Sequence, residues 1–319
     1  MRIAYALEDA GLSGGARVVL EHCNRLAARG HNITLFTVTA SKPNNWFDVR
    51  NIEHVSTGSY AALGKWLQTF DGPKIATWWR TAQVVSDAPG MNFYMVQDIE
   101  SSYATNKRES ADILATYQLP LTQLVEGRWV SEALPDSRYI GIGLDHNLYK
   151  PTGVFRASNT VLYLYRRHFL KGVELFDTAI TYLPKHYRIV TCGLERPPTK
   201  RVDHQGCVTD AALADYYNRA GVYVSTSQHE GFGLPILEAM ACGCPVVTTN
   251  ADGNMEFCVD GYNCLMVERD PIALAQAIES LCRDQAMAET LASAGQATTR
   301  RYQWDTVINN LVSVLAKDR

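Results

Sequence analysis

No apolar run in this 319-residue chain approaches the roughly 20 residues that a bilayer-spanning helix needs. An excess of charge of one sign is lacking too. Thirty Lys and Arg face 33 Asp and Glu, for a net charge of −3. That balance excludes a protein whose main work is wrapping nucleic acid, and no nucleic-acid partner is expected. The balance is also even along the chain. Residues 1–147 carry 13 basic and 15 acidic side chains, and residues 148–319 carry 17 and 18. Any anion site must therefore be local and built from few residues. Metal-binding cysteine patterns are missing as well. The eight cysteines form no C-x-x-C pair, and Cys242-Gly-Cys244 has no partners at zinc spacing, so no metal site is expected. Met1-Arg-Ile-Ala-Tyr-Ala-Leu7 enters a strand pattern at once, without the h-region and cleavage site of a signal peptide. The expected compartment is thus a reducing cytoplasm, with the cysteines acting as small buried hydrophobes.

What is present is an ordinary globular composition, 46% hydrophobic, at a length that suggests about two domains. Ile3 to Leu7 is a short apolar run, and Gly11 to Gly15 is a glycine-rich loop. Val18, Val19, Cys23, Leu26 and Ala27 then recur at helical spacing, Gly30 ends that helix, and Ile33 to Val38 is a β-branched strand. This is one βαβ unit, which implies a parallel sheet covered by helices. Residues 41–59 read as a polar loop holding Trp46 and Phe47. Leu63, Trp66, Leu67 and Phe70 form one apolar stripe of a helix, residues 75–78 and 93–96 read as strands, and 103–117 and 120–134 as helices. The stretch Tyr139 to Pro151, punctuated by Gly141 and Gly143, is taken as the domain junction. Beyond it, strands are expected at 160–165, 187–192, 221–225 and 245–248. Helices are expected at 171–182, 210–218, 235–243, 271–283, 286–298 and 304–316. Both halves share a βα plan, so the expected fold is α/β, with two doubly wound domains and a cleft between them.

The most informative segment is His229-Glu-Gly-Phe-Gly-Leu-Pro-Ile-Leu-Glu-Ala-Met-Ala-Cys-Gly-Cys-Pro-Val-Val247. It follows a strand, and Pro235 fits the first turn of a helix, where its missing N–H costs nothing. Gly243 and Pro245 stop that helix. The loop therefore opens onto a helix N-terminus, whose free N–H groups favour an anion, and Gly231 and Gly233 let the backbone approach a ligand. Glu230 and Glu238 flank this cradle. A carboxylate there would repel phosphate and is better suited to the hydroxyls of a ribose or a sugar ring.

This segment resembles the retaining glycosyltransferases of family 4, which have the GT-B fold: two Rossmann-like doubly wound domains facing across a cleft, with a C-terminal helix crossing back. Glu230 and Glu238 match the two glutamates of the family's E-x7-E motif. The resemblance implies that Glu238 holds the nucleotide ribose and that Glu230 lies by the donor sugar. Val161-Leu-Tyr-Leu-Tyr-Arg-Arg-His-Phe-Leu-Lys-Gly172 resembles the family's strand, Arg, Lys-Gly segment. It implies Arg166 and Lys171 as cations for the departing diphosphate, with Arg167 the other candidate for the first. Gly14-Gly15 resembles the family's N-terminal glycine loop, and Gly206-Cys-Val208 its loop near the base. Gly231, Phe232, Gly233, Leu234 and Val208 complete the implied donor site. Gly141 to Pro151 resembles the interdomain segment, and Tyr302-Gln-Trp304 the start of the returning helix. The implied domains are 1–147 on the acceptor side, 148–302 binding the donor, and 303–319 as that helix. One departure stands out. The family often has His-Asp at the end of an N-domain strand, but here Tyr94-Met-Val-Gln-Asp98 puts Gln97 in the His position. Gln97 is no base, although its amide is able to donate to a sugar hydroxyl. Val96 to Glu100 also resembles a stretch of some bacterial rhamnosyltransferases of the family.

The resemblance therefore implies a retaining hexosyltransferase-type enzyme that uses a nucleoside diphosphate sugar as donor and a glycan or lipid-linked hydroxyl as acceptor, with no cofactor and no metal. Cell-surface polysaccharide assembly is the family's habit. Gln97, Asp98 and Trp46 are the acceptor-side candidates, Trp46 as an exposed aromatic. The Leu63/Trp66/Leu67/Phe70 stripe fits a core-facing helix better than a membrane-facing one. A peripheral contact at the inner face of a membrane stays open. The rival readings are another GT-B chemistry, such as a nucleotide-sugar epimerase or a phosphorylase, and an inactive sugar-nucleotide-binding subunit. A nicotinamide enzyme is disfavoured, because none of the glycine clusters completes G-x-G-x-x-G.

Overall fold

The computed structural model describes residues 1–317. The chain divides into two compact units. One comprises Met1–Ile142 and the chain from Asp305 onward, and the other is Gly143–Trp304.

In the first unit, seven strands form one wholly parallel sheet: β1 (Arg2–Leu7), β2 (Asn32–Thr37), β3 (Ile52–Ser56), β4 (Lys74–Ala76), β5 (Asn92–Val96), β6 (Thr122–Val125) and β7 (Arg138–Tyr139). Their spatial order is 3-2-1-4-5-6-7, so the winding direction reverses between β1 and β4. Alternate residues of β1 serve opposite faces. Ile3, Tyr5 and Leu7 enter one core cluster, and Ala4 and Ala6 enter the other. This is why β1 reads as a continuous apolar run rather than an alternating one. Helix α1 (Gly14–Ala28) follows β1, with Ser13 as its N-cap accepting from the Ala16 amide at 3.1 Å. On the other face, α2 (Tyr60–Gln68) buries Leu63 and Leu67 and leaves Trp66 about half exposed. The stripe thus serves the core of this unit.

Three local expectations fail. Residues 41–59 contain strand β3 rather than loop alone. The strand at 75–78 stops at Ala76, and Trp78 is the N-cap of α3 (Trp79–Ser86). The helix read over 120–134 is strand β6 followed by the short helix α5 (Arg128–Ala133), while α4 (Lys107–Thr116) is shorter than its expected range. Leu121, Leu124 and Val125 have helical spacing. Pairing of β6 with β5 overrides it, and Gly127 caps the following helix.

In the second unit, six parallel strands run β8 (Ala157–Leu164), β9 (Arg188–Cys192), β10 (Val202–His204), β11 (Ala220–Ser225), β12 (Val246–Thr249) and β13 (Leu265–Val267), in the order 10-9-8-11-12-13. The reversal here falls between β8 and β11. Helices α6 (Val173–Tyr182), α7 (Asp210–Arg219), α8 (Leu234–Ala241), α9 (Pro271–Arg283) and α10 (Gln285–Thr299) cover the sheet. The last helix, α11 (Trp304–Lys317), returns to the first unit, where Ile308, Leu311 and Leu315 are fully buried in the cluster that holds Ile3 and Tyr5. None of the helices is long and apolar enough to cross a membrane among the described residues.

Candidate functional site

The switch point of the second unit collects the residues that the sequence singled out. In open α/β sheets, ligands bind outside the carboxyl ends of the strands at the point where strand order reverses. The loops after β8 and β11 flank that point. The first carries Arg166 to Lys171, and the second carries Thr226 to Gly233.

These two loops are fastened together. The Thr226 hydroxyl lies 2.8 Å from the Tyr163 hydroxyl and donates to the Lys171 and Gly172 carbonyls at 3.0 and 2.9 Å. The Gln228 amide donates to the Leu170 carbonyl at 2.7 Å. Gly172 has φ +61°, and a β-carbon there would lie 2.2 Å from the Thr226 carbonyl oxygen. Only glycine permits the close approach. The result brings Lys171 to Glu230: Nζ donates to Oε1 at 2.6 Å, and the Ser227 hydroxyl donates to the same oxygen at 2.6 Å. Both side chains of the ion pair are about one-fifth exposed. A cation and a carboxylate in contact at a strand end form a site in which either is able to exchange its partner for a ligand group.

Glu238 lies one helix turn inside α8. It is 4% exposed and accepts from the Tyr217 hydroxyl at 3.3 Å. Gly233, at φ +93°, is the N-cap of α8, so the helix opens directly from the glycine loop. Phe232 keeps its side chain inside the unit. Its ring is buried, stacked on Phe257 with centroids 5.3 Å apart and edge-on to Tyr302. Any ligand contact at this residue would have to be made by its backbone. Leu234 and Val208 are half-buried, Val208 in the loop that precedes α7.

Arg166 and Arg167 separate in the structure. Both are exposed, but Arg167 lies beside Tyr165 and Asp177 and supplies them with charge and a hydrogen bond. Burial raises the Asp177 carboxyl above its ordinary range, and Tyr165 donates to it at 2.8 Å. Arg167 is thereby tied to α6, whereas Arg166 is exposed with its charge near His168. Burial, followed by the nearby Arg166 and Lys171, pushes the His168 imidazole below its ordinary pKa. Its Nδ1 accepts from the Leu170 amide at 3.3 Å, which fits the neutral ring.

Several contacts that support the site join residues far apart in the sequence. His229 Nδ1 lies 2.6 Å from Asp252 Oδ2, and the Gly253 amide donates to the Glu230 carbonyl at 3.0 Å. Asp252 has φ +34°, a conformation that costs a non-glycine residue energy. Arg269 donates to the Thr226 carbonyl at 3.2 Å, the Ser227 carbonyl at 2.8 Å and the Asn250 carbonyl. It thus joins the loops after β11 and β12. These partners are 19 to 43 residues apart in sequence, so no local pattern announces them.

In the first unit, Gly14 and Gly15 open α1 after β1. Gly14 is exposed with open space at its β-position, but a β-carbon on Gly15 would meet Gln97 Oε1 at 2.7 Å. Gln97 Nε2 donates to the Gly15 carbonyl at 3.3 Å and to Glu126 at 3.4 Å. Its amide protons are thus engaged inside the unit rather than offered outward, contrary to the expected donor role. Asp98 is 8% exposed, with Oδ2 accepting from the Tyr103 hydroxyl at 2.6 Å and Oδ1 from the Ile99 amide at 2.7 Å. Trp46 is not the exposed aromatic expected of it. It packs half-buried against the core cluster, and its indole N–H donates to the Ala10 carbonyl at 2.9 Å.

The family Glycosyl transferases group 1 matches residues 149–298. The matched range contains Arg166, Lys171, Glu230 and Glu238. Over a longer span, the chain is 26% identical across 313 residues to a D-inositol 3-phosphate glycosyltransferase of Xylanimonas cellulosilytica, covering 87% of this chain and 74% of that protein. Solved glycosyltransferase structures share the fold. Anabaena HepE in complex with UDP-glucose superposes with TM-score 0.86 at 18% identity, covering 99% of this chain and all of that one. Sucrose-phosphate synthase from Thermosynechococcus elongatus gives 0.83 at 19% identity, covering 99% and 98%. With two parallel-sheet Rossmann-like domains, the glycosyltransferase fold here is GT-B.

Proposed function

We propose that the chain transfers a sugar from a nucleoside diphosphate sugar to an acceptor hydroxyl, with retention at the anomeric carbon. The observation that carries this reading is the Lys171–Glu230 contact at the switch point, in the loop that leads into α8, the helix that carries the buried Glu238. Lys171 and Arg166 stabilise the charge that develops on the departing diphosphate, the electrostatic task that group transfer from a phosphate demands. The α8 N-terminus adds N–H donors for the same charge, so the site needs no metal. Glu238 accepts the ribose hydroxyls. Glu230, gripped by Lys171 and Ser227, is a poor nucleophile in that state and orients the donor sugar.

The step then proceeds on one face. The bond from the anomeric carbon to the β-phosphate oxygen breaks, the bond to the acceptor oxygen forms, and the acceptor proton passes to the departing phosphate oxygen. Retention follows from this geometry. HepE was solved with UDP-glucose, so UDP-hexoses head the donor panel, and glycans and lipid-linked sugars of cell-surface assembly head the acceptor panel. Working on such acceptors, the enzyme operates in the cytoplasm, against the inner membrane face when the acceptor is lipid-linked.

Isothermal titration tests the donor site directly. Glu238→Gln keeps the shape but replaces a two-oxygen acceptor with an amide. It is expected to weaken nucleotide binding about tenfold or more, the scale of a lost charge-assisted hydrogen bond. Unchanged affinity would move the ribose site elsewhere.

A further inference from the structure

A buried polar chain lies beneath the glycine loop of the first unit. The Tyr5 hydroxyl is 3.4 Å from His22 Nδ1, His22 Nε2 is 3.3 Å from Glu126 Oε1, and Glu126 Oε2 accepts from Gln97 Nε2. The side chains of His22 and Glu126 are 0% and 3% exposed. A carboxylate this deep costs several kcal/mol to desolvate, so its retention calls for a role that an apolar residue would not fill. The Tyr5 hydroxyl faces His22 Nδ1, and His22 Nε2 lies at ion-pair distance from Glu126 Oε1 without hydrogen-bond geometry. Glu126 turns Oε1 toward His22 and Oε2 toward Gln97, from which it accepts.

That arrangement fixes the Gln97 amide. Both groups beside Nε2, the Gly15 carbonyl and the Glu126 carboxylate, only accept, so the NH2 end must face them. The Gln97 oxygen is then left at the β-position of Gly15, beside the exposed Gly14. Gln97 is half-buried and directly follows β5, at the carboxyl edge of the sheet where open α/β sheets bind ligands. The absence of a side chain at Gly15 makes room for this oxygen.

We infer that Glu126, supported by His22, is a positioning residue that holds Gln97 as a hydrogen-bond acceptor for a sugar hydroxyl reaching the Gly14–Gly15 loop. The inference rests on the transferase reading for the identity of the ligand. Gln97 then selects for a hydroxyl that donates, and a sugar lacking that hydroxyl loses the contact and leaves the oxygen unpaired.

The test is a mutant cycle on kcat/KM with the nucleotide sugar that the wild type turns over, using two variants of nearly equal size. Glu126→Gln still offers Gln97 an oxygen and is expected to stay within about threefold of wild type, whereas Glu126→Met fills the space without an acceptor and is expected to lose about tenfold. If Glu126 acts through Gln97, Glu126→Met costs nothing further in a Gln97→Ala background. A loss that persists undiminished there, or full activity of Glu126→Met, overturns the inference. A second readout needs no turnover. The Gln97 side-chain NH2 protons, identified in NMR spectra by their loss in Gln97→Ala, are expected to exchange slowly in wild type and Glu126→Gln and fast in Glu126→Met. Equal exchange in all three overturns the inference even if the chain transfers no sugar. Absence of transfer combined with the expected exchange pattern refutes the transferase reading alone.

Discussion

Glu100, at the start of the short 3-10 helix that follows β5, shows what burial does to one side chain. It is 4% exposed, with Oε2 accepting from the Trp79 amide at 2.9 Å and Oε1 from the Tyr94 hydroxyl at 2.8 Å. Burial pushes its carboxyl up to about 8, partly offset by those two hydrogen bonds and helped by Asp98 and Glu8 nearby. The folded chain therefore holds a proton that the unfolded chain releases near 4.5. The stability this supplies is complete below pH 4.5 and is lost as pH rises toward about 8. Glu100→Gln cannot lose that proton. Relative to this variant, the wild type is expected to weaken by at least about 1 kcal/mol between pH 5 and pH 8, measured by urea unfolding at both values. Parallel profiles for the two proteins would contradict the assignment. At this scale the sequence singles out Lys171 and Glu230, which the structure brings into contact. It is silent where meaning comes from long-range contact. Glu126 and His22 are 104 positions apart, and nothing in the spacing of either marks them as partners.

Among elements, the long central ones were readable and the short edge ones were not. β1, α1, β2, β8, β11 and α9 to α11 follow strong apolar patterns, because each buries a full face. β10 and β13, three residues each, carry too few side chains for a pattern and exist through pairing with β9 and β12. The loop after β11 carries the proposed site, and Arg269 is one of the residues that hold its shape. Burial lowers the Arg269 pKa somewhat, and its guanidinium meets three carbonyls on two loops. Arg269→Ala removes the guanidinium donor from these carbonyls, leaving the Ser227 carbonyl only its bond from the Thr249 hydroxyl, and is expected to cost about 1–3 kcal/mol. Hydrogen exchange of residues 226–233 should rise in that variant while the β8 and β11 amides stay protected. Unchanged exchange in the loop would show that it holds its form without the arginine.

For the whole molecule, the balanced charge noted at the outset fits its two-unit plan. The proposed function needs no broad basic surface, since it assigns the diphosphate to Lys171, Arg166 and a helix N-terminus at one switch point. The fold class followed from the repeated βα pattern, because parallel sheets need helical crossovers of fixed kind. The return of α11 to the first unit followed only from the aromatic signature at Tyr302 to Trp304, as an amphipathic helix does not announce which sheet it covers. The central claim is that Lys171 stabilises the charge of a departing nucleoside diphosphate. It is tested most directly by comparing kcat/KM for sugar transfer in wild type and Lys171→Ala. The account predicts a loss of roughly two or more orders of magnitude, expressed mainly in kcat, since the interaction strengthens as the bond breaks. Transfer by Lys171→Ala at near wild-type kcat/KM would contradict it.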